Sequence, residues 1–412
     1  MRTAFALSPE GLGGAVSTAL WGTLLGAITL GRPGDRFGSR AVLKFIAVLY
    51  LCSSLGAAFA WDLPSFLVFR FLTGIAIGGS SVLAPVYIAE VAPASQRGAL
   101  VGLFQVNIVA GILVAYVSNF LIGQLIAGPD VWRWKLGAAA LPAFVFLVLL
   151  FFIPQSPRWL LARGRVDAAA ASLKRLGIAN PGAVIDEIST AAATSDKASR
   201  ETLSWHRHRR PILLAIGLGM FNQLSGINAI LYYLNDIFAA AGFNSLSADL
   251  QSIAIGATNL LATLIAMRLI DKTGRKRLLL VGSVGTALAL AGVATVMALG
   301  TGRALLLPLL IVFIASFAVS QGAVIWVYLS EIFPTAVRAR GQSLGSSTHW
   351  VMNALISARF PAIAAVSSSL PFVFFSLMMG LQFFLVLRYL PETKGVSLEQ
   401  LGHTLGDVSP AA

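Results

Sequence analysis

Eleven long apolar runs divide the sequence, and they constrain the fold more than any other feature. A helix needs roughly 20 apolar residues to cross the hydrocarbon core of a bilayer, and each run is about that long or longer. Only 11% of the residues are charged, which is less than half of the roughly 25% found in soluble domains. We therefore expect an all-α polytopic membrane protein with transmembrane helices near 11–31, 41–61, 64–89, 99–125, 135–153, 211–241, 249–270, 278–300, 304–330, 342–364 and 369–390.

The basic residues are distributed unevenly between the loops. Alternate loops and the tail from residue 391 hold 22 of the 30 Lys and Arg, whereas the opposite loops hold Arg2, Arg133, Lys135 and Arg303. Loops rich in Lys and Arg stay in the cytoplasm, so we predict a multi-pass protein of the cell inner (cytoplasmic) membrane with a cytoplasmic C-terminus. The net charge of +13 is then a topology signal with some attraction to membrane lipid, and we expect no nucleic-acid partner.

Three sequence motifs occur twice, at separations of 236, 241 and 237 positions. Three pairs at nearly one period indicate two homologous halves, as in many transporters. The pairs are DRFGSR at 35–40 with DKTGRK at 271–276, YIAEVAPASQRG at 87–98 with YLSEIFPTAVRARG at 328–341, and PQSPRWL at 154–160 with PETKG at 391–395. We therefore predict an N-terminal bundle over 1–153, a cytoplasmic linker with short interfacial helices over 154–210, a C-terminal bundle over 211–390 and a cytoplasmic tail over 391–412.

The two halves do not hold equal numbers of predicted helices. The second half has six, and DKTGRK follows its second helix, whereas the first half has five, and DRFGSR follows its first. Homologous halves should match, so we expect one helix to be missing ahead of residue 11. The alternatives are a misplaced start codon or truncated gene, and a protein that works with eleven spans.

The duplicated charged turns predict an ion-pair gate at the cytoplasmic face. Glu90 and Glu331 each end a long helix shortly before a proline, with an arginine seven positions further in both copies. Opposed carboxylates and guanidiniums can form ion pairs that close and break; the alternative is that they only cap helices and orient the chain. In the first turn we expect Arg40 to reach back across Gly38. The candidate gating and coupling residues are Asp35, Arg36, Arg40, Arg70, Glu90, Arg97, Asp271, Arg275, Glu331 and Arg338.

Neutral amides and rings lie within the predicted spans, where an unpaired polar group is costly. Sugar hydroxyls both donate and accept hydrogen bonds, so amides suit them, and the absence of an acid in the set favours a neutral substrate over a cation. The alternative is that these residues hydrogen-bond helices together. His349 and Asn353 share a helix face, whereas Gln223 and Asn228 would point about 140° apart on a regular helix unless Gly226 relaxes it. The set is Gln105, Asn107, Asn119, Asn222, Gln223, Asn228, Asn259, Trp326, His349 and Asn353.

In combination and in order, the motifs resemble the sugar porter family of the major facilitator superfamily, of the bacterial hexose and xylose transporter type. They are R-x-x-x-G-x-x-x-G from Arg70, YIAE…RG, SPRWL at 156–160, NQLSGINAILYY at 222–233, DKTGRK, WVYLSEIFP at 326–334 and PETKG, and the resemblance runs from about residue 11 to residue 400. It implies two pseudo-symmetric bundles around a central cavity, with twelve helices in the family against eleven here. It also implies sugar contacts at Gln105, Asn222, Gln223, Asn228, Asn259, Trp326 and Asn353, with His349 at a position often held by Gln or Asn; Asn107 and Asn119 match no such contact.

The sequence departs from the family pattern at several positions. Asn222 stands where many relatives have the first of two Gln residues, and Ala323 replaces a frequent proline. Arg70 lies between apolar flanks inside a predicted span, where an unpaired guanidinium is expensive. In proton-coupled relatives the matching arginine faces an aspartate of the first helix, which is the helix that we expect to be missing. Proton symport and uniport therefore both stay open.

These features predict alternating-access transport of a monosaccharide such as glucose, galactose or xylose. We expect a monomer that needs no cofactor and contacts membrane lipid. A sugar sensor that does not transport and a facilitator for a non-sugar solute are the alternatives. An enzyme is not expected, because the sequence shows no nucleotide-binding loop, no metal-ligand spacing and only four His.

Overall fold

The computed structural model describes the backbone of residues 2–92, 97–178, 180–195, 203–333 and 337–394. Across these ranges the chain is helical and holds no strand. The helices are α1 Pro9–Thr29, α2 Gly31–Phe37, α3 Ser39–Ala58, α4 Leu63–Val91, α5 Arg97–Leu125, α6 Val131–Gly137, α7 Ala140–Phe152, α8 Pro157–Leu161, α9 Val166–Arg175, α10 Pro181–Ser195, α11 Trp205–Leu224, α12 Ile227–Tyr232, α13 Leu234–Ala240, α14 Ser245–Thr273, α15 Arg275–Leu299, α16 Leu306–Phe317, α17 Ala323–Glu331, α18 Arg338–Val366 and α19 Leu370–Tyr389.

Ten helical segments in the described part of the chain are long and apolar enough to cross a membrane. They correspond to ten of the eleven apolar runs that the sequence predicts. The remaining run, 342–364, forms α18, a continuous helix of 29 residues. This helix has the length of a span, but polar residues such as Ser346, His349 and Asn353 lower its hydropathy. An all-helical membrane fold follows, with the most polar candidate span contributing to the site described below.

The described helices pack into two compact units. Unit 1 comprises Met1–Ala6, Thr18–Asn107 and Ile122–Arg200, and unit 2 comprises Leu7–Ser17, Ile108–Leu121 and Glu201–Ala412. Unit 2 therefore takes in short pieces of α1 and α5 together with the second half of the chain. The sequence-based domain boundaries at residues 153, 210 and 390 stay a prediction.

The segment between the predicted bundles forms three short helices in its described part, α8, α9 and α10. Among them, α9 buries Ala169, Ser172 and Leu173 along one side. The hydroxyl of Ser172 donates to the carbonyl of Gln155 at 2.5 Å, and this bond connects α9 to the segment that follows α7. Ser172 and Leu173 lie three and four residues after Ala169, which is the spacing expected for the buried face of an amphipathic helix.

Two helices of unit 1, α1 and α4, cross at glycines on both sides. A Cβ atom added to Gly74 or Gly78 would lie 1.9 Å from a carbonyl oxygen of α1, and one added to Gly22 or Gly26 would lie 2.2 Å from a carbonyl oxygen of α4. Small residues four apart allow such close approach of transmembrane helices. The R-x-x-x-G-x-x-x-G motif is therefore the α4 side of this crossing.

The two copies of the charged turn share their backbone geometry. Gly38 has φ 87° and ψ 139°, and Gly274 has φ 95° and ψ 153°. Both glycines occupy positive φ, which other residues rarely adopt, and each is followed directly by a long helix, α3 or α15. The sequence repeat thus corresponds to the same turn built twice.

The span Arg303–Glu331 is interrupted between α16 and α17. Residues Ala318–Gly322 form a π-helical turn, which ends directly before Ala323, the residue that replaces the frequent proline of the family. Within this turn Ser320 and Gln321 are almost fully buried. Single π-helical turns inside α-helices often occur at functional sites.

Candidate substrate and gating sites

A break in the first span of unit 2 places its amide side chains together. Gly226 adopts the left-handed conformation, with φ 79° and ψ 5°, and separates α11 from α12. A Cβ atom at this position would lie 2.3 Å from the ring of Phe375, so both the conformation and the space require glycine. As a result Asn228 Nδ2 donates to Gln223 Oε1 at 3.1 Å. The sequence left open that Gly226 relaxes the helix, and the structure confirms this alternative, so the 140° separation of a regular helix does not apply here.

The amides form a continuous chain of hydrogen bonds. Gln223 Nε2 donates to Asn222 Oδ1 at 2.9 Å and lies 3.2 Å from Nδ1 and 3.4 Å from Nε2 of His349. Asn222 Nδ2 in turn donates to the backbone carbonyl of Gln321 at 3.4 Å. Asn222, Gln223 and His349 are all buried, so these contacts satisfy groups that would otherwise be costly in the membrane.

An aromatic side chain lies beside this chain of amides. The rings of Trp326 and His349 are 5.3 Å apart between centroids and tilted by 56°. Trp326 is 39% exposed, whereas His349 is also covered by Trp350 at 5.2 Å. A partly open indole face next to neutral hydrogen-bonding groups is suited to the C–H face and hydroxyls of a sugar ring.

A second group of polar contacts follows one turn further along α18. Asn353 Nδ2 lies 3.4 Å from the hydroxyl of Tyr232, and Ser357 Oγ donates to Asn353 Oδ1 at 3.1 Å. Asn353 and His349 lie on one face of α18, as their spacing predicts. The structure thus brings Asn222, Gln223, Asn228, Trp326, His349 and Asn353 into one region of unit 2.

Two predicted contact residues lie outside this chain of hydrogen bonds among the described residues. Asn259 is buried on α14, and Gln105 is half-buried on α5 within unit 1. Their predicted contacts with sugar stay a prediction. Asn107 donates to Leu103 of its own helix at 2.9 Å, which agrees with the absence of a family contact there.

The charged turn of unit 2 forms an ion-pair cluster. Arg275 Nη2 donates to Glu331 Oε1 at 2.9 Å, with the two side chains 11% and 21% exposed. Thr393 Oγ1 donates to the other carboxylate oxygen of Glu331 at 2.5 Å. Glu392 accepts from the backbone N–H of Arg275 at 2.9 Å and of Lys276 at 3.1 Å. The start of α15, the end of α17 and the segment after α19 are therefore fastened together.

Unit 1 shares part of this plan. Tyr87 donates to the carbonyl of Pro154 at 2.7 Å, as Tyr328 does to that of Pro391 at 2.9 Å. At the position that corresponds to Arg275, however, unit 1 has Ser39. Glu90 accordingly faces the hydroxyls of Ser39 and Ser156 and interacts electrostatically with Arg158.

The prediction for Arg40 is wrong. Instead of reaching back across Gly38, its guanidinium donates from Nε to Leu150 at 3.1 Å and from Nη2 to Phe151 at 3.0 Å. Both acceptors are carbonyls at the C-terminal end of α7, where the last carbonyls of a helix lack partners within the helix. Arg40 therefore caps α7 and ties α3 to it.

The remaining gating candidates are placed as follows. The carbonyls of Asp35 and Arg36 accept from Trp159 and Arg163, at 2.9 Å in each case. Arg338 Nε donates to the carbonyl of Phe333 at 3.5 Å, and Arg70 interacts electrostatically with Tyr50 of α3. The side chains of Arg97 and Asp271 lie outside the described residues. Gating roles for all of these residues stay predictions.

Several contributors to the two sites were not predicted from the sequence. The carbonyl of Gln321 accepts from Asn222 because the π-helical turn lies beside α11, and no local sequence pattern indicates this. Tyr232 lies within the NQLSGINAILYY motif and could have been selected by its spacing of four from Asn228. Glu392, within PETKG, could have been selected as a carboxylate that caps a helix start.

Lowering the pH is expected to release the Glu392 contact. Burial raises the pKa of the Glu392 carboxyl, but backbone N–H donors of Lys394, Arg275, Lys276 and Thr393 outweigh it and hold the pKa below its ordinary value of 4.5. A lowered pKa means that the carboxylate stabilises the fold above its ordinary pKa and that this contribution disappears as the pH falls through the lowered one. The melting temperature of wild type minus that of Glu392→Gln should therefore be constant near neutral pH and decrease below about pH 4.5.

A difference that does not change with pH would contradict this account. Gln155 occupies the corresponding position in unit 1, where its amide lies against Gly38. The Glu392→Gln substitution therefore gives unit 2 the side chain that unit 1 already has at this position. Lys394→Ala serves as the control, because it leaves the carboxylate and its backbone donors in place.

The comparisons with known proteins identify the family of the chain. The profile of the family described as "Sugar (and other) transporter" matches residues 7–405 of the chain. The chain belongs to this sugar transporter family. The resemblance to sugar porters deduced from the sequence motifs is thereby confirmed, and the chain is a member of a family of transporters.

Individual relatives cover nearly the whole chain. The major myo-inositol transporter IolT of Bacillus subtilis is 36% identical over 403 residues, spanning 95% of this chain and 85% of the relative. The inward open structure of the xylose transporter XylE from Escherichia coli matches with a TM-score of 0.86 at 30% identity, covering 99% of this chain and 92% of that one. A structure of the major facilitator superfamily proton:xylose symporter XylE bound to 6-bromo-6-deoxy-D-glucose matches with a TM-score of 0.77 at 31% identity, covering 98% and 93%. The predicted major facilitator fold is confirmed.

Proposed function

We propose that this sugar transporter family member carries a monosaccharide across the membrane by alternating access. The observation that supports it most is the cluster of Gln223, Asn228, His349 and Trp326, in which neutral donors and acceptors surround one partly open indole face. A hexose or pentose matches this chemistry, because its hydroxyls donate and accept while its C–H face packs on an aromatic ring.

A cyclic polyol is the second candidate substrate. One relative that is 36% identical transports myo-inositol, which offers hydroxyls around a saturated ring and no ring oxygen. The same amides and indole face could hold it. Among the sugars, xylose and glucose are favoured by the relatives whose names include them.

We place the protein in the inner (cytoplasmic) membrane with its C-terminus in the cytoplasm, on the distribution of Lys and Arg. It works as a monomer without a cofactor in this proposal. The cluster of Arg275, Glu331, Glu392 and Thr393 forms one side of the cytoplasmic gate, and it opens and closes as the bundles rearrange. An enzymatic role is not proposed, since the site offers binding groups rather than an activated nucleophile.

Proton coupling is a separate part of the proposal. A relative that is 32% identical is the D-xylose-proton symporter of Escherichia coli, and Arg70 provides the intramembrane cation that the proton-coupled pattern requires. Uptake that stops when the pH gradient is collapsed would support symport. Uptake that continues unchanged would establish uniport.

Replacing Trp326 by leucine is expected to weaken sugar binding while the fold is retained. Leucine removes the indole face, and stacking of this kind contributes about 0.5–1.5 kcal/mol beyond area burial, so half-saturation should rise roughly 3- to 10-fold. The measurement is counterflow of labelled glucose, galactose, xylose and myo-inositol in proteoliposomes that hold the full chain.

The matched control is Trp134→Leu, because Trp134 is 61% exposed on α6 of unit 1. Saturable exchange that Trp326→Leu weakens and Trp134→Leu does not would support a carrier with this site. Saturable binding without exchange would instead indicate a sensor. No binding of any of the four solutes would overturn the proposed substrate class.

A further inference from the structure

The chain of hydrogen bonds among the amides at the sugar site ends on a backbone carbonyl. This carbonyl determines which atom donates and which accepts in each bond of the chain. The carbonyl of Gln321, in the π-helical turn, can only accept a hydrogen bond. Because Asn222 contacts it at 3.4 Å, the Asn222 amide must turn its Nδ2 towards that carbonyl. Its Oδ1 then faces Gln223.

The same constraint determines the orientation of the next two amides. Since Asn222 Oδ1 is an acceptor, Gln223 must present Nε2 to it, at 2.9 Å. This leaves Gln223 Oε1 on the other side, where it accepts from Asn228 Nδ2 at 3.1 Å. The two ends of an amide are otherwise hard to distinguish and are assigned from such networks; here the carbonyl determines all three.

His349 is oriented by the same chain. The second N–H of Gln223 Nε2 faces the edge of the imidazole, 3.2 Å from Nδ1 and 3.4 Å from Nε2. A neutral imidazole has one accepting and one donating nitrogen. The nitrogen that accepts from Gln223 is therefore unprotonated, and the other nitrogen carries the proton.

We propose that Asn222 is a positioning residue, which does not touch the sugar but fixes the donor and acceptor pattern of the groups that do. Both ends of its amide are occupied within the protein, by Gln321 and by Gln223, and its side chain is 4% exposed. Asn228 Oδ1 and the protonated nitrogen of His349 are then the groups left to face a sugar. The inference rests on the proposed function, and it concerns how this site selects hydroxyls.

Deoxy analogues distinguish a positioning role from direct contact. If a residue contacts one hydroxyl, removing that hydroxyl and removing the residue are not additive. We therefore measure binding of D-glucose and its 2-deoxy, 3-deoxy and 6-deoxy analogues to the purified full chain. Asn222→Ala should weaken all four by a similar factor, about tenfold, which corresponds to one well-ordered hydrogen bond, whereas Asn228→Ala should lose discrimination at one hydroxyl.

Two further variants keep the test decisive. Asn222→Leu keeps the branched shape and the number of side-chain heavy atoms of asparagine, so it replaces Asn222→Ala if the smaller side chain leaves a cavity that prevents folding. Asn107→Ala removes an amide that bonds only within its own helix in the described structure, and it should bind all four sugars like wild type. In counterflow, Asn222→Ala should raise half-saturation and leave the maximal rate unchanged.

The outcomes separate this inference from the proposed function. An analogue that binds Asn222→Ala and wild type equally well would place its missing hydroxyl against Asn222 and overturn the inference, while sugar transport stands. A wild-type protein that binds neither glucose nor xylose would overturn the proposed sugar substrate and this inference with it. A uniform loss across the series supports the positioning role.

Discussion

Replacing Gly78 by valine is expected to prevent unit 1 from folding. A Cβ atom at this position would lie 1.9 Å from the carbonyl oxygen of Thr23 and 2.8 Å from the backbone nitrogen of Ala27. Both neighbours are backbone atoms of α1, so no side chain can move aside. The helices would have to separate by more than 1 Å, and neighbouring contacts at Gly22 and Gly74 would separate with them.

The size of this effect can be bounded. Overpacking a core with extra methyl groups costs about 1–3 kcal/mol, and occasionally more. Valine adds three carbon atoms at a contact between two backbones, which puts the expected cost at about 3 kcal/mol or more. That is a large part of the stability of a typical domain, so we expect little monodisperse protein after extraction, measured by fluorescence-detected size-exclusion chromatography.

The same substitution at Gly14 is the matched control. Gly14 lies on α1, the other helix of this crossing, and a Cβ atom there would meet no atom within 4 Å. Gly14→Val therefore carries the same change in helix propensity without the overlap. Normal yield of both variants would show that α1 and α4 do not depend on this crossing, and loss of both would assign the effect to propensity.

Replacing Arg275 by alanine is expected to destabilise unit 2 by about 2–4 kcal/mol. Removing one partner of a buried ion pair leaves the other charge without compensation, at a cost of about 3–5 kcal/mol when burial is complete. Arg275 and Glu331 are 11% and 21% exposed, so some water reaches the pair and lowers this figure. The variant also loses the bond from Arg275 Nη1 to the carbonyl of Ile270 at 3.1 Å.

Thermal unfolding and counterflow together test this expectation. The double variant Arg275→Ala, Glu331→Gln should be more stable than Arg275→Ala alone, because no uncompensated carboxylate is left. Arg277→Ala is the control, since Arg277 is exposed and lies two residues further along the same helix. A single variant as stable as Arg277→Ala would show that the ion pair contributes nothing at this face.

The first half supplies a natural comparison. Its Glu90 faces two hydroxyls and interacts electrostatically with Arg158, whereas Glu331 accepts a hydrogen bond from Arg275, so Glu90→Gln should have a smaller effect on stability than Arg275→Ala. If the cytoplasmic gate depends on ion pairs, the second half would then contribute most of its strength. Both variants can be measured in the same unfolding experiment.

The helices were predictable because the bilayer imposes a single requirement on length and polarity. Ten of the eleven apolar runs form helices that meet it, and only α18 is less apolar, since its inner face carries His349 and Asn353. The repeated turns were predictable for a related reason. Gly38 and Gly274 need positive φ, and a motif with a required glycine stays visible in sequence.

The local geometry of the site could not be predicted in the same way. The residue types of the amides were visible, but the contact between Gln223 and Asn228 depends on the break at Gly226, where the distant ring of Phe375 leaves no room for a Cβ atom. The π-helical turn has no local signal beyond the missing proline at Ala323. Arg40 was assigned to the wrong partner because the carbonyls of Leu150 and Phe151 lie 110 and 111 residues away along the chain.

The hydrogen bonds of Glu392 also bear on the order in which unit 2 is completed during synthesis. The carboxylate reaches the first amides of α15 across 117 residues of sequence, and the same segment binds Glu331 through Thr393. Membrane helices are made in order from the N-terminus, so α15 and α17 are inserted before their partner residues leave the ribosome. The end of unit 2 at which Glu392 lies therefore acquires these contacts only after α19 has been translated.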